Sequence, residues 1–411
     1  MGKLRLPRRA SLVGIVFFSL ATAGALLAVV ATAGLASAAS GASAAAPWRL
    51  LGVTLSSGRN YGPIACATPS RCWVPFSSPR GGGAGVLATS DGGAYWSVEH
   101  VPGHAAFLSG ISCTSQQDCW LVGNSGNLGG RSAGAAFRTV NGGQSWQPLT
   151  LPSELGPGPQ HQLYSISCRG PGWCAAVGSG SGPSQVSCGP GCTMSNLLAA
   201  VSTNGGRSWA VEPVPLNPVA QLNSISCGAA GTCQAVGFGL SNCRPSAQSA
   251  KATSCSPGGA VVGSRQGGSR WVDEPVGTGI FNLYGISCPT ALQCWATGST
   301  GNDVRGRGVI LHSTDGGAHW VRQAPVPGSN SLTDVSCPTV RWCAAAGLFG
   351  TAGRLSPAIE TTSDGGAHWA AAALPPGVSE VIYITCSAPG QCLAKGIVGF
   401  GSNQRFVLLA G

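Results

Sequence analysis

The chain alternates apolar and polar residues in short runs of strand length, and each run stops at Gly, Pro, Asn or Asp. One stretch gives the order. Leu283-Tyr284-Gly285-Ile286-Ser287-Cys288 is a first run, and Cys294-Trp295-Ala296-Thr297-Gly298 begins a second. A Gly- and Ser-rich connection leads to a third, Val309-Ile310-Leu311-His312-Ser313. The turn Thr314-Asp315-Gly316-Gly317 then delivers a fourth, Trp320-Val321-Arg322-Gln323, which stops near Pro325. Past the N-terminal leader no segment sustains a helical apolar period beyond two turns, so the expectation is all-β.

This order returns seven times, marked by cysteines six residues apart: Cys66/Cys72, Cys113/Cys119, Cys168/Cys174, Cys227/Cys233, Cys288/Cys294, Cys337/Cys343 and Cys386/Cys392. Successive first cysteines are 47 to 61 residues apart. Four short strands in a unit of this length is the layout of a propeller blade, and a single blade cannot bury both its faces. The last unit ends on a third run, Arg405-Phe406-Val407-Leu408-Leu409-Ala410, with no fourth after it. Near the start, Trp48-Arg49-Leu50-Leu51-Gly52-Val53 is a fourth run with no third before it. Joined, the two complete a seventh blade and pair edges that would otherwise stay open. The predicted architecture is a seven-bladed β-propeller of four-stranded blades over residues 47–411, closed by an N-terminal strand, with one disulfide per blade.

The turn before the fourth run recurs in six units. Its acid or amide and its tryptophan are Asp91 and Trp96, Asn141 and Trp146, Asn204 and Trp209, Asp315 and Trp320, and Asp364 and Trp369. The remaining copy keeps Trp271 but has Gln266 in place of the acid, which predicts a less well-braced turn. Asp or Asn accepts from amides further along the turn, glycine takes positive φ without steric cost, and tryptophan offers a large apolar area to a neighbouring blade. His319 and His368, inside two of these turns, are expected to be exposed. The turn tryptophans belong to the core, while Trp120 and Trp295, just after second cysteines, have room for partial exposure. The pattern resembles the Asp box, or BNR repeat, of sialidase-like propellers, and it is similar to that of photosystem II assembly factor-like propellers. The resemblance spans residues 48–411 and implies either a glycosidase-type activity or an assembly role.

Composition changes the picture mainly through the leader. Lys3 to Arg9 is basic, and Ala10 to about Leu35 is apolar. Ala36-Ser37-Ala38 and Ala42-Ser43-Ala44 both fit a small-x-small cleavage site. Residues 1–46 are therefore expected to be a signal peptide or an N-terminal membrane anchor with a small-residue linker. The formal charge is +10, but four of the 23 basic residues lie in the leader, leaving 19 against 13 acids, or +6. The arginines form no run, which argues against nucleic acid as a partner. The 18 cysteines can all pair locally, with Cys188/Cys192 and Cys243/Cys255 completing the set, as expected of an exported chain. Five residues between the members of a pair, with no histidine beside them, do not suit zinc. Neither a metal nor a cofactor is expected.

In a four-stranded blade the first-to-second and third-to-fourth turns share one face, so the disulfides and Asp/Asn turns lie together. The second-to-third connections share the other face. There the chain varies most in length, at Gly178 to Asn196 and Gly237 to Gly259, as befits a binding surface. Asp303, Arg305 and Arg307 are expected to add charge to that face, and Tyr164, Tyr284 and Tyr383 on first strands are expected to line the central channel. Sialidase chemistry needs three convergent arginines, and the first runs Leu163 to Cys168, Leu222 to Cys227 and Leu332 to Cys337 carry none. Glu380 and Tyr383, three residues apart on a strand, are expected on opposite sheet faces. The leading expectation is an exported, non-catalytic propeller that binds a protein or glycan at the cell surface, with a possible tether through its N-terminus. The alternatives are an extracellular glycoside hydrolase using Asp303, Asp334 or Glu380, and an assembly factor for a membrane protein complex.

Overall fold

Each first cysteine faces its second across a tight hairpin, and that hairpin fixes the register of a blade. In blade 3, Cys168 pairs with Cys174 and Ile166 with Ala176, so alternate side chains of both strands reach the same face. The seven bonded pairs lie at Cα separations of 3.9 to 4.1 Å. The computed structural model describes residues 47–53, 55–56, 58–78, 83–103, 107–126, 131–158, 161–180, 196–215, 219–246, 249–301, 306–351, 354–399 and 403–411. Of 196, 219–220, 240–246, 249–257, 351 and 354 it describes the backbone alone. Cys188, Cys192 and the leader lie outside the described residues. Among those described, no helix is long and apolar enough to cross a membrane.

Seven antiparallel sheets follow one another along the chain. Blade 3 is typical, with strands Gln162–Arg169, Trp173–Gly180, Asn196–Ser202 and Ala210–Pro213. Blade 7 runs Val378–Ala388, Gln391–Val398 and Arg405–Ala410, and its fourth strand is Arg49–Leu50 from the other end of the domain. The termini therefore close the ring as the unpaired runs predict. The buried apolar side chains form seven clusters, each shared by two adjacent blades. Trp73 of blade 1 packs with Leu108 and Ile111 of blade 2, for example, and Leu393 and Leu408 of blade 7 pack with Tyr61 and Val74 of blade 1. Burying both faces of every blade in this way is what the ring accomplishes. Trp120 and Trp295 belong to these clusters and are fully buried, contrary to the partial exposure expected of them. Their position follows the second cysteine on the most interior part of the second strand, where the indole fills the gap to the next blade.

The Asp/Asn turns brace themselves and their neighbours. Asp91 accepts from the Thr89 hydroxyl at 2.8 Å and the Tyr95 amide at 3.0 Å, while the Gly93 amide donates to the Thr89 hydroxyl at 3.0 Å. Asn141, Asn204, Asp315 and Asp364 repeat the arrangement with Thr139, Ser202, Ser313 and Thr362. The first glycine bonds back to the disulfide hairpin of its own blade, as Gly92 does to Ser70 at 3.0 Å. The second glycine has positive φ and abuts the preceding blade: Gly206 against Leu149, Gly317 against Gln234. In blade 4, Gln266 sits at φ 53° and no side-chain brace of this kind forms among the described residues; Ser264 instead donates to the Gly231 carbonyl at 3.0 Å. His319 and His368 are exposed, as expected, and each ring lies against its own turn carboxylate, Asp315 at 2.6 Å and Asp364 at 2.7 Å.

Two features of the strands were not expected. The described residues between Gly237 and Gly259 form a β-ribbon, because the second and third strands of blade 4 extend to Thr232–Ser246 and Ser249–Arg265. The backbone register sets Cys243 and Cys255 on its facing strands, where Ser241 opposes Ser256 and Arg244 opposes Ser254. The first strand also carries a bulge in six blades, at Ser109, Tyr164, Asn223, Tyr284, Thr333 and Ile382. A glycine four residues after the second cysteine accompanies each bulge. Any Cβ at Gly123, Gly178, Gly237, Gly298, Gly347 or Gly396 would overlap the first-strand carbonyl opposite. Blade 1 has Phe76 there, and its first strand is instead broken at Gly62 and Pro63 into Asn60–Tyr61 and Ala65–Cys66. Gly298→Ala is therefore expected to cost about 3 kcal/mol, the upper end for overpacking a closed core, because the obstacle is backbone. Urea unfolding of the variant measures it, and an unchanged midpoint would remove this account of the glycine.

Candidate functional site

The bulges decide what the channel presents. A bulge inserts one residue and re-aims its side chain. Here the inserted residues of six blades converge near the start of their first strands, at the end of the axis that carries the second-to-third connections. They enclose a cavity of about 400 Å³ with Tyr61, Pro63, Phe107, Gln221, Asp334 and Tyr383 also in its wall. Ile382 of blade 7 adds an apolar side chain to the wall, and the other five inserted residues fall into two kinds. Ser109, Asn223 and Thr333, in blades 2, 4 and 6, donate to first-strand carbonyls of the next blade; Asn223 reaches Leu283 at 2.7 Å and Thr333 reaches Ile382 at 3.0 Å. Tyr164 and Tyr284, in blades 3 and 5, form no hydrogen bond between blades among the described residues. Their hydroxyls lie 3.3 Å from Ser179 and 3.4 Å from Ser299 of their own blades, which leaves the rings standing at the cavity wall.

A charged group sits behind the wall on the blade 7 side. Lys395 is 3% exposed and occupies a position that is apolar or threonine in the other blades. Its Nζ lies 4.3 Å from the Tyr383 ring and 5.2 Å from the Phe406 ring, and it donates to the Tyr61 carbonyl across the seam with blade 1. From blade 2 to blade 7 each blade is linked to the next by the serine before the first cysteine, as when the Cys168 amide donates to Ser112 at 3.0 Å and the Cys337 amide to Ser287 at 2.9 Å. The position is Ala65 in blade 1 and Thr385 in blade 7, and at the seam that closes the ring Lys395 supplies a bond of its own, to the Tyr61 carbonyl.

Asp334 completes the group. It keeps part of its surface on the channel, while its carboxylate accepts from the Val335 amide and, across the blade boundary, the Ile384 amide, both at 2.9 Å. Burial pushes its carboxyl up to about 7, against the pull of those amides and of Lys395. Burial likewise draws Lys395 down to about 7, opposed by Glu380 and Asp334. Tyr383 is raised to about 12, first by burial and then by the Asp334 charge. Glu380 and Tyr383 do not lie on opposite faces: the bulge between Val381 and Tyr383 restores them to one face, and both act on or touch Lys395.

These directions predict an unusual pH profile. Asp334 keeps its proton natively where the unfolded chain has lost it, so its contribution is full below 3.8 and vanishes as pH rises through about 7. Lys395 sheds its proton natively while the unfolded chain holds it, so its contribution is full above 10.5 and vanishes as pH falls through about 7. Stability is expected to dip near neutrality, with higher values at roughly pH 5 and pH 9, and an Asp334→Asn, Lys395→Met variant is expected to flatten the dip. Urea midpoints at the three pH values decide it.

The other residues singled out by their sequence pattern fall elsewhere. Asp303 and Arg305 lie outside the described residues. Arg307 is exposed and lines a separate groove of about 750 Å³ between blades 5 and 6, with Arg322, Pro325 and Pro327, so it does not meet the tyrosines. At the disulfide end of the axis, Arg169 reaches the carbonyls of Cys227 and Cys288, the latter at 3.0 Å, and ties blades 3, 4 and 5 together. Neither Lys395 nor Arg169 stands out in the repeat pattern as a site residue. For Lys395 a signal is present all the same: a lone lysine aligned with Val122, Val177 and Val236.

Comparison with known proteins supports the architecture. No protein-family model matches the chain, and neither does any curated protein. Among solved structures it is similar to YCF48 from Cyanidioschyzon merolae, with a TM-score of 0.53 at 18% identity over 89% of this chain and 98% of that one. A structure of YCF48 bound to D1 peptide gives 0.50 at 15% identity over 89% and 95% of the two chains. A PL25 ulvan lyase bound to a GlcA–Rha3S saccharide gives 0.53 at 10% identity over 88% and 96%. At such identities the likeness is one of fold, and the fold is the β-propeller.

Proposed function

We propose that the chain is an exported β-propeller that binds, without catalysis, a protein or glycan at the cell surface, and that the ligand is held at the mouth of the channel. The observation that carries this reading is the division of labour among the bulges. The polar bulge residues are spent on holding blades together, whereas Tyr164 and Tyr284 contribute large amphipathic faces and, among the described residues, hydrogen-bond only within their own blades. Aromatic rings around a cavity with a few polar groups are the usual composition of a binding site. Seven disulfides and the leader composition support export, through residues 1–46 acting as a signal peptide or a tether. The turn pattern supports kinship with BNR-repeat propellers.

The test is a Tyr164→Leu, Tyr284→Leu double variant, which keeps apolar volume and removes the rings. It is expected to keep its melting profile and to lose at least ten-fold in affinity for whichever glycan-array or cell-surface ligand wild type retains, since each ring contributes about 1 kcal/mol or more. A double variant that binds every wild-type ligand equally would exclude the mouth as the site.

A hydrolase reading has one observation in its favour: Asp334 faces the cavity with its carboxyl raised to about 7, as a proton donor requires. It predicts turnover of a glycoside that Asp334→Asn abolishes, and silence across a broad glycoside panel removes it.

A further inference from the structure

We propose that the channel mouth takes a single cationic side chain, lysine or arginine, presented by an otherwise neutral or acidic extended peptide. The inference rests on the reading of the mouth as the binding site and specifies what enters it. Asp334 is the charged side chain in the cavity wall, and the other polar groups there are hydroxyls and amides. The rings of Tyr164 and Tyr284 stand in the same wall, and among the described residues no lysine or arginine lies over either of them. Aromatic faces beside one carboxylate attract an ammonium or guanidinium and offer nothing to an anion.

The protein already uses this recognition once. Lys395 lies over Tyr383 from the protein side, close enough to Asp334 for the two charges to interact. It does not compete for the mouth, because its Nζ is turned to the Tyr61 carbonyl behind the wall. The groups facing Asp334 are Lys395 and Tyr383 of blade 7 and the backbone of Gly285 in blade 5, with Glu380 beyond Lys395. An arriving cation would hold Asp334 ionised, so binding is expected to strengthen as pH rises from about 6 to about 8. The net charge of residues 47–411, +6, disfavours a polycation, which selects an isolated positive side chain on a neutral or acidic carrier. The cavity of about 400 Å³ has room for one long side chain together with part of the backbone that presents it, and the amino sugar, which carries the same charge, is a separate arm of the test.

The experiment pans a random heptapeptide display library on the immobilised full propeller, with Asp334→Asn and Tyr164→Leu, Tyr284→Leu proteins in parallel and a glucosamine oligosaccharide series as a separate arm. Thermal melts establish that the variants are folded; if Asp334→Asn is not, the tyrosine variant and the pH dependence of captured peptides carry the test. The expected result is enrichment of lysine or arginine at one position by at least five-fold on wild type, lost on both variants, with norleucine replacement of that residue weakening binding at least ten-fold. Peptides that need the tyrosines yet show no basic preference, or that prefer Asp or Glu, overturn the cation while leaving the mouth as the site. Binding of the oligosaccharides alone overturns the peptide. Capture indifferent to every mouth residue overturns both this inference and the reading beneath it.

Discussion

Trp48→Ala is expected to destabilise the propeller by about 3–5 kcal/mol, although the residue sits at the edge of the described chain. The indole is 9% exposed and packs in the cluster that blade 7 shares with blade 6. The C-terminal Gly411 lies so close that a Cβ there would be 2.5 Å from the indole ring. A short strand carries the closure: Arg49 opposite Ala410, Leu50 opposite Leu409, and the Leu51 amide on the Leu408 carbonyl at 2.9 Å. Two residue pairs hold little by themselves, so the large side chains on either side of them, Trp48 and Leu51, do most of the holding. A loss of this size is a large share of the 5–15 kcal/mol typical of a folded domain. Deleting residues 1–52 goes further, because it also exposes the edge of Arg405–Ala410 to other chains. Urea unfolding of the point variant, and size-exclusion chromatography of the truncation, are the measurements. A truncated protein that stays monomeric with an unchanged midpoint would show that the ring does not depend on its seam.

The second large effect concerns the seven bridges together. Each closes a small loop between residues six apart and stabilises by about 2 kcal/mol in the chain-entropy model. About 14 kcal/mol for the set equals the whole stability of an ordinary domain, so the fully reduced chain is expected to be unfolded at room temperature. The native protein should nevertheless resist reductant alone. Cys72, Cys119, Cys174, Cys233 and Cys343 are fully buried, and a thiolate must first wait for a local opening. Near-UV circular dichroism is therefore expected to persist in reductant without denaturant. It should vanish in reductant plus mild urea and fail to return until oxidation. A reduced chain that refolds by itself would mean the interblade clusters suffice and the bridges are dispensable.

Blade count, strand order and the pairing of the two termini follow from local signals: cysteine spacing, the glycine turns, and unpaired runs at Trp48 and Arg405. Such signals act within a few residues or repeat at fixed intervals, so a linear reading captures them. The bulges escape it, because an extra residue in a strand leaves the apolar pattern nearly intact while it moves the following side chains to the other face. For that reason strict alternation puts Glu380 and Tyr383 on opposite sides. Trp120 and Trp295 get more solvent from their place in the repeat than the neighbouring blade leaves them. The channel tyrosines are legible in the sequence, but their separation from the bracing residues Ser109, Asn223 and Thr333 needs the bonds between blades.

The amino-acid order by itself determined that there are seven similar sheets, each stapled by its own cysteines and ringed shut by the ends of the domain, since every contact involved lies inside one repeat or joins two obvious half-blades. Only the tertiary structure decided which side chains meet at the axis. Lys395, Asp334 and Tyr61 come from blades 7, 6 and 1, and no periodicity relates residues so far apart in the chain. Their charges and exposure are set by that convergence, through burial in a common apolar surround, and so is any chemistry the mouth of the channel performs.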